Sequence, residues 1–312
     1  MSESREKFPT INIQSIKTNN FDLYIQNEAY YPLYGGSSKA RKLHFFIENI
    51  KAKGSNAVVT AGSASSNHAR VTALACAQYG WDCTIVVHDK PDFNKGNLAL
   101  MKLAGARLVF VELSEVKETM DHEMARYKKN GKAPYYIYGG GSGVLGSLAF
   151  YEAIKELKAC YPNLNPDYLI HPAGTGGTQA GFVVGCNEMF PNTKVIGVSV
   201  ARNKNRGLEA LRQDCKELTK HLDLPPICES KLNFKDEWVG DGYGSTSQDL
   251  IEVINKYAKE YGLVTDITYT GKALQGLNAM LNNNEIEKGS SVLFWNTGSL
   301  INVIDNKKDL LQ

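Results

Sequence analysis

The sequence predicts an α/β protein built from two doubly wound open sheets. Short runs rich in valine, isoleucine and phenylalanine alternate with segments whose apolar residues recur at helical spacing. The alternation is clear from about residue 57 and starts again after about residue 160. Because strand–helix–strand units join parallel strands through right-handed crossovers, each half predicts a parallel sheet covered by helices.

Six strand candidates carry this pattern, because each is short, apolar and bounded by turn residues. In chain order they are AVVTAG from residue 57, CTIVVHD at 83–89, RLVFVEL at 107–113, DYLIHPAG, KVIGVSV and SVLFWNTG. Five further segments have helical spacing, and several end in glycine, which is typical of helix C-termini. These are NHARVTALACAQYG, NKGNLALMKLAG, GFVVGCNEMF, SQDLIEVINKYAKEYG and GKALQGLNAMLNN. The richest loops follow strand ends, where open α/β sheets bind ligands.

Composition and charge exclude several classes of function. Hydrophobic residues make up 43% of the 312 residues, and the net charge is only +2, so neither nucleic acid nor a membrane surface is an expected partner. No apolar run reaches the length of a membrane span, and the N-terminus MSESREKFPT lacks the apolar core of a signal peptide. Six scattered cysteines without a CxxC pair, and histidines without HxxxH spacing, predict no metal site and a reducing cytoplasm.

The segment AGTGGTQAG, residues 173–181, is the strongest single motif. It lies between the strand YLIHP and an apolar helix. Its glycines let the backbone approach an anion, and the helix N-terminus supplies free N–H groups, which predicts a phosphate cradle. A tight strand-to-helix turn is the alternative. A dinucleotide fingerprint is excluded, because Gln179 stands where the third glycine would be needed.

A second strand-end loop, AGSASSNHAR at residues 61–70, also opens into a helix. The side chains of Ser65, Ser66 and Asn67, beside the N–H groups of a helix N-terminus, suit a carboxylate. An ordinary helix N-cap is the alternative interpretation. His68 alone is typical of a packing histidine.

Lys39 stands in GGSSKARKL, residues 35–43, between a small-residue loop and the helix-like stretch LHFFIENIKAKG. One interpretation is a capped helix whose basic first turn, with Arg41 and Lys42, is solvated. The other is that Lys39 is held where a cofactor can reach it.

Three more loops carry tyrosine or threonine: Tyr269 and Thr270 in TYTGKALQG, Thr297 in FWNTGS, and Tyr243 in DGYGSTS. Each also has a structural interpretation, as a packed aromatic, a helix cap or an exposed loop. A phosphate cradle, a carboxylate site and an isolated lysine together match the needs of pyridoxal 5′-phosphate. This cofactor takes an anion site, a lysine amine for its aldehyde, a polar partner for its pyridine nitrogen and a clamp for the amino-acid substrate.

Taken together, the motifs resemble the fold type II (tryptophan synthase β-like) pyridoxal-phosphate enzymes. Within them the chain is most similar to the 1-aminocyclopropane-1-carboxylate deaminase / D-cysteine desulfhydrase family. The matching stretches follow the family's order and are GGSSKARKL, SSNHAR, GGGSGVLGSLAF, GTGGTQAG, VGDGYG, TYTGKALQG and FWNTG. The resemblance implies a large cofactor-binding domain of residues 1–48 and 158–312, a small α/β domain of residues 49–157, and a homodimer.

The resemblance also implies which residues serve the cofactor and which serve the substrate. On the cofactor it places Lys39 as the Schiff-base lysine, Asn67 beside the ring hydroxyl, Thr297 at the ring nitrogen with Thr270 as the other candidate, and Gly174, Thr175, Gly176, Gly177 and Thr178 around the phosphate. On the substrate it places Ser66, Asn67, His68, Tyr243 and Tyr269, the two tyrosines as proton donors or positioning groups. A neutral hydroxyl at the ring nitrogen suits elimination at Cβ rather than transamination.

Three departures from the family's pattern narrow the expected reaction. Ser38 stands where the family usually has asparagine, and Gly143 replaces the asparagine of its GGSN stretch. Thr270 stands where the deaminases proper have glutamate, which argues against opening of a cyclopropane ring.

The predicted function is therefore removal of a β-leaving group and ammonia from a small amino acid to give an α-keto acid, with the Lys39 amine taking a proton from the substrate. Two alternatives stay open: β-replacement of the cysteine-synthase type, and a non-catalytic phosphate- or nucleotide-binding protein.

Overall fold

The computed structural model describes residues 10–18 and 21–311, and these form two sheets with helices on both faces. The strands are β1 (Ile13–Lys17), β2 (Asp22–Asn27), β3 (Ala57–Gly62), β4 (Asp82–Val87), β5 (Arg107–Phe110), β6 (Pro134–Tyr136), β7 (Tyr168–Ala173), β8 (Lys194–Ser199), β9 (Asn233–Lys235) and β10 (Ser291–Asn296). The larger sheet has the order β1-β2-β10-β7-β8-β9, and the smaller has the order β5-β4-β3-β6. All pairs are parallel except β1 with β2.

Helices connect and cover these strands. They are α1 (Ser38–Ala52), α2 (Asn67–Tyr79), α3 (Gly96–Leu103), α4 (Val116–Lys129), α5 (Val144–Cys160), α6 (Gly177–Met189), α7 (Lys204–Leu222), α8 (Gln248–Tyr261), α9 (Thr270–Asn282), α10 (Leu300–Asp305) and α11 (Lys307–Leu310). The predicted α/β class is confirmed, and each of the six predicted strands and five predicted helices is present. α6 begins four residues before the segment predicted for it, so Gly176 of the predicted phosphate cradle is its N-cap and Gly177 its first residue.

Each sheet has its own apolar core, and two helices, α1 and α5, contribute side chains to both cores. The hydrophobic cluster of α1, α2 and α3 lies against β3 and β4, whereas α5, α6 and α7 pack with β7, β8 and β10. The proposed domain boundaries at residues 48 and 157 fall inside α1 and α5, and residues 1–9 of the proposed large domain lie outside the described residues. The division into two domains stays a proposal.

α5 and α6 approach each other closely at one glycine. A methyl group on Gly181 would lie 2.3 Å from the carbonyl oxygen of Ser147. The buried Phe150 ring meets the rings of Phe182 and Trp295 edge to face beside this crossing. The crossing therefore fixes the N-terminus of α6, which carries the predicted phosphate cradle, against α5.

The interpretation of a solvated basic first turn in α1 is wrong. Arg41 is 4% exposed and Lys42 is 1% exposed. The Arg41 guanidinium donates to the Glu28 carboxylate at 3.0 Å and to the carbonyl oxygen of Thr10 at 3.0 Å. The two cations at the start of α1 are therefore interior groups, and Arg41 ties α1 to the segment that follows β2.

Candidate active site

One cavity of about 530 Å³ lies where the carboxyl ends of strands from both sheets face each other. It collects most of the residues that the sequence singled out. Those that line it are Ser38, Lys39, Ser66, Asn67, His68, Gly174, Thr175, Thr178, Tyr243, Tyr269 and Thr297. Residues from six separate stretches of the chain thus meet in one place, as is typical of ligand sites at strand ends.

Lys39 enters this cavity from the first turn of α1. Ser37 caps the helix and accepts the Lys39 backbone N–H at 3.4 Å, while the Ser38 N–H donates to the carbonyl oxygen of Thr297 at 2.9 Å. The Lys39 Nζ donates to the carbonyl oxygen of Gly140 at 3.0 Å. Burial lowers the pKa of Lys39 to about 8, so about a tenth of its amine is neutral and nucleophilic at pH 7.

The turn from β7 to α6 forms a glycine-lined pocket floor. Gly174, Thr175 and Thr178 line the cavity, and Gly176 has a φ of +112°, which favours glycine. A methyl group on Gly176 would lie 2.7 Å from Asp214 Oδ2, and one on Gly177 would lie 3.1 Å from Ser147 Oγ. Gly176 and Gly177 are thus the places where the chain must run close to α5 and α7. The first-turn N–H groups of α6 are left available to an anion.

Two buried polar atoms beneath this turn have no hydrogen-bond partner within residues 10–18 and 21–311: Lys42 Nζ and Ser147 Oγ. A methyl group on Gly177 would lie 3.7 Å from the Lys42 Nζ. Burial and the charge of Lys39 hold the pKa of Lys42 well below its usual value, and Asp214 opposes this shift. Buried donors without acceptors are costly. A phosphate group at the N-terminus of α6 would supply the missing acceptors.

The SSNH loop forms the N-terminus of α2. The Ser66 hydroxyl accepts the Ala69 N–H at 3.2 Å, so this loop is a helix N-cap as well as a wall of the cavity. Because that cap leaves the first-turn N–H groups of Asn67 and His68 without helical partners, they can serve a carboxylate. Asp89 accepts the Ala64 N–H at 2.7 Å and holds the loop in place.

His68 lies at the back of the same wall. It is 3% exposed, and its Nε2 lies 2.9 Å from the Thr60 hydroxyl. Burial, with the nearby Lys39 and Lys42 charges, lowers the pKa of His68 to about 3. His68 is therefore a neutral packing group at physiological pH, and its ring does not supply a positive charge to the cavity.

Tyr243 and Tyr269 form a pair on the opposite side of the cavity. Their hydroxyls form a hydrogen bond, and the rings meet edge to face with centroids 5.7 Å apart. Tyr243 is 54% exposed and comes from a loop, whereas Tyr269 directly precedes α9. Burial of the hydroxyls raises the pKa of both tyrosines. The pair thus presents neutral O–H groups to the cavity.

Thr270 and Thr297 have different surroundings. Thr270 is completely buried, and its hydroxyl donates to Asp266 Oδ2 at 2.8 Å. Thr297, which is 9% exposed, lines the cavity. Of the two candidates for the ring nitrogen, only Thr297 borders the cavity among the residues that the structure describes.

Sequence reasoning missed several residues of the site. Lys42 carried a usable signal, because it lies three residues after Lys39 and hence on the same face of α1. Five other cavity residues lie outside the functional motifs quoted above: Arg202, His88, Lys117, Met120 and Tyr136. Arg202 follows β8 and donates to the carbonyl oxygen of Thr175 at 3.0 Å, which braces the turn from β7 to α6.

Comparison with known proteins identifies the family. A family model described as pyridoxal-phosphate dependent enzyme matches residues 4–298. The chain belongs to this family. Its cofactor is pyridoxal phosphate, and family membership favours an enzyme over the non-catalytic alternative. The protein is thus a pyridoxal-phosphate-dependent enzyme of fold type II.

Solved structures of this fold resemble the chain over nearly its whole length. A crystal structure of an ACC deaminase homologue is 28% identical, with 96% of this chain and 93% of that chain covered and a TM-score of 0.88. A hydrogen sulfide-producing enzyme from Fusobacterium nucleatum is 20% identical, with 93% of this chain and 94% of that chain covered and a TM-score of 0.65. A fungal L-serine ammonia-lyase from Rhizomucor miehei is 16% identical, with 96% of this chain and 98% of that chain covered and a TM-score of 0.69. At 20% and 16% identity, the similarity to the last two proteins shows a shared fold only.

The cavity residues fit pyridoxal phosphate. The α6 N-terminus with the unpartnered Lys42 and Ser147 groups suits its phosphate, the Lys39 amine suits its aldehyde, and Thr297 offers a neutral hydroxyl to its ring. No group of three metal-ligating side chains occurs in the described part of the chain. None of the helices described is both long and apolar enough to cross a membrane.

Proposed function

We propose that the protein removes a β-leaving group and ammonia from a small amino acid to give an α-keto acid, in the manner of a D-cysteine desulfhydrase. One observation carries this proposal: no Asp or Glu side chain lines the described cavity, whereas the Lys39 amine and the phenols of Tyr243 and Tyr269 do. The deaminases proper have a glutamate, required for cyclopropane opening, where this chain has Thr270. The Thr270 hydroxyl is buried and donates to Asp266, so this position offers no carboxylate to the cavity. A homodimer in a reducing compartment remains part of the proposal.

The side chains present can carry out each proton movement of such an elimination. Bound pyridoxal phosphate supplies an electron sink for the negative charge that forms at Cα. The N–H groups at the start of α2 hold the substrate carboxylate, and the Lys39 amine takes the Cα proton. The bond from Cβ to the leaving group then breaks with its electron pair. Tyr243 or Tyr269 protonates the leaving group, and water converts the unsaturated product to the keto acid and ammonia.

The experiment is a substrate screen with purified, cofactor-loaded enzyme. D- and L-cysteine, and D- and L-serine derivatives with good leaving groups, are each incubated while keto acid, ammonia and leaving group are quantified. Equal amounts of the three products support elimination. A loss of keto acid on addition of thiols or amines, with formation of a new amino acid, would instead establish β-replacement.

Two tyrosine variants test the roles assigned to the phenols. Tyr269→Phe and Tyr243→Phe are each expected to lower kcat/KM on the accepted substrate by roughly 10²-fold or more, the usual scale for loss of a general acid. Tyr135→Phe is the matched control. The Tyr135 hydroxyl donates to Asn49 Oδ1 at a distance of 2.8 Å, and Tyr135 does not line the cavity. Variants that retain wild-type kcat/KM would remove the tyrosines from the mechanism.

A further inference from the structure

Lys272 is a buried lysine that the proposed reaction does not use. It lies in the first turn of α9 and is 1% exposed. Its Nζ donates to the carbonyl oxygens of Val239 and Gly242 at 2.6 and 2.7 Å and to the Ser245 hydroxyl at 3.2 Å. No acidic side chain forms an ion pair with it among the described residues. All three of its acceptors come from one loop, the Tyr243 loop (residues 239–245).

Two backbone hydrogen bonds also shape the Tyr243 loop: the Ser245 N–H donates to the carbonyl oxygen of Gly242 at 3.2 Å, and the Val239 N–H donates to that of Asp236 at 3.3 Å. The loop belongs to no strand or α-helix, and three of its glycines have positive φ: Gly240 at +66°, Gly242 at +130° and Gly244 at +77°. Such a backbone is entropically costly to order. The Ser245 hydroxyl, itself bound to Lys272, donates to the same two carbonyl oxygens at 3.1 and 2.8 Å. Lys272 is thus the hub of the hydrogen bonds that close the loop.

A buried carboxylate fixes the other tyrosine in the same region. Asp266 is 1% exposed, and its Oδ1 accepts the backbone N–H groups of Thr268 and Tyr269 at 2.8 and 2.7 Å. The first turn of α9 is therefore flanked by two buried ionisable groups. Asp266 holds the backbone of Tyr269, and Lys272 holds the loop that brings Tyr243 to it.

We propose that Lys272 is a positioning residue that keeps Tyr243 in hydrogen-bond contact with Tyr269. The inference rests on the proposed function only for its effect on catalysis; the structural effect stands independently. A charged group suits this task because one ammonium satisfies three oxygen acceptors, and charge-assisted hydrogen bonds are stronger than neutral ones. A neutral side chain of similar length would fill the space and leave the carbonyl oxygens of Val239 and Gly242 without this donor.

The first test measures hydrogen exchange in the cofactor-free protein by mass spectrometry. Lys272→Met is expected to speed exchange in peptides covering residues 239–247 by at least about tenfold, because the closing hydrogen bonds are lost. Lys272→Arg, which keeps charge and donors, should recover part of the protection. Lys158→Met is the control. Lys158 lies in the last turn of α5, outside the Tyr243 loop, and donates to the carbonyl oxygen of Pro162 at 3.1 Å. Unchanged exchange in a folded Lys272→Met protein would overturn the inference.

The second test is a double-mutant cycle on kcat/KM. If Lys272 acts through Tyr243, then Lys272→Met and Tyr243→Phe should cost a similar factor singly, and the double variant should lose less than about twofold more than Tyr243→Phe. Bound-cofactor absorbance should stay unchanged in all three. Independent, multiplying losses would contradict a positioning role. If Tyr243→Phe has no effect while Lys272→Met still frees the loop, the proposed function of Tyr243 fails and the positioning role stands.

Discussion

The Arg41 Nη2 atom lies 2.9 Å from Glu28 Oε1 in an ion pair whose side chains are 5% and 0% exposed. Trp295 Nε1 donates to the same carboxylate oxygen at 3.1 Å. The pair joins the first turn of α1, which carries Lys39, to the segment after β2 and to β10. The position of Lys39 therefore depends on an interior ion pair made by Arg41, two residues further along the chain.

Breaking this pair is expected to destabilise the protein strongly. Glu28→Gln removes the buried partner of the Arg41 guanidinium and leaves only the partly exposed Glu156 carboxylate, 3.3 Å away, as counter-charge. The free energy of unfolding should therefore fall by roughly 3–5 kcal/mol. Urea denaturation followed by circular dichroism measures it. The control is Glu229→Gln, because the Arg212–Glu229 pair is exposed and should contribute nothing measurable. Equal stability of the two variants would refute the interior role of the pair.

The lowered pKa of Lys39 predicts how fast the cofactor-free protein captures pyridoxal phosphate. Only the neutral amine attacks an aldehyde, and the pKa of Lys39 is lowered to about 8 by burial. The capture rate should therefore rise about tenfold per pH unit below pH 8 and level off above it. Stopped-flow absorbance checks this. Lys39→Ala should show no visible band of covalently held cofactor at any pH, and a rate that climbs unchanged to pH 10 would be incompatible with the lowered pKa.

Lys42→Met should have opposite effects on the cofactor-free and loaded proteins. In the free protein it removes a buried amine without an acceptor, so the free energy of unfolding should rise by about 1–3 kcal/mol. In the loaded protein it removes the amine that we propose as a donor to the phosphate, and affinity for pyridoxal phosphate should fall by about 10–100-fold. Calorimetry of the free protein and a cofactor titration give the two values. A variant with unaltered affinity would show that Lys42 does not contact the phosphate.

The sequence predicted those features that depend on local pattern. Buried parallel strands such as β3 and β7 are continuous apolar runs, and glycine-rich turns such as AGTGGTQAG report their backbone demands directly. β1, with the sequence IQSIK, is a polar edge strand and carries no comparable signal. The surroundings of charged residues were also beyond reach. The residues around Arg41 in the sequence give no indication that its partner Glu28 also binds Trp295. Likewise, the sequence around Thr270 does not show that its hydroxyl donates to Asp266. Both contacts depend on the tertiary structure.

Asp214 makes the stability of the cofactor-free protein depend on pH in an unusual direction. It lies under Gly176, and burial raises its pKa to about 6, although Lys42 opposes the shift. Between its ordinary pKa of 3.8 and about 6, the folded protein binds more protons at this carboxyl than the unfolded chain does. Its contribution to stability is therefore complete below pH 4 and is lost as the pH rises through 6.

Asp214→Asn removes this titration. Relative to wild type, the variant should gain about 1–3 kcal/mol in its free energy of unfolding as the pH rises from about 4 to 6.5, a range that allows for partial exposure of the carboxyl. Urea denaturation of both cofactor-free proteins across that pH range measures the difference, with the exposed Asp241→Asn as control. If the wild-type and Asp214→Asn curves run parallel, the pKa of Asp214 is the same in the folded and the unfolded protein, and burial does not raise it.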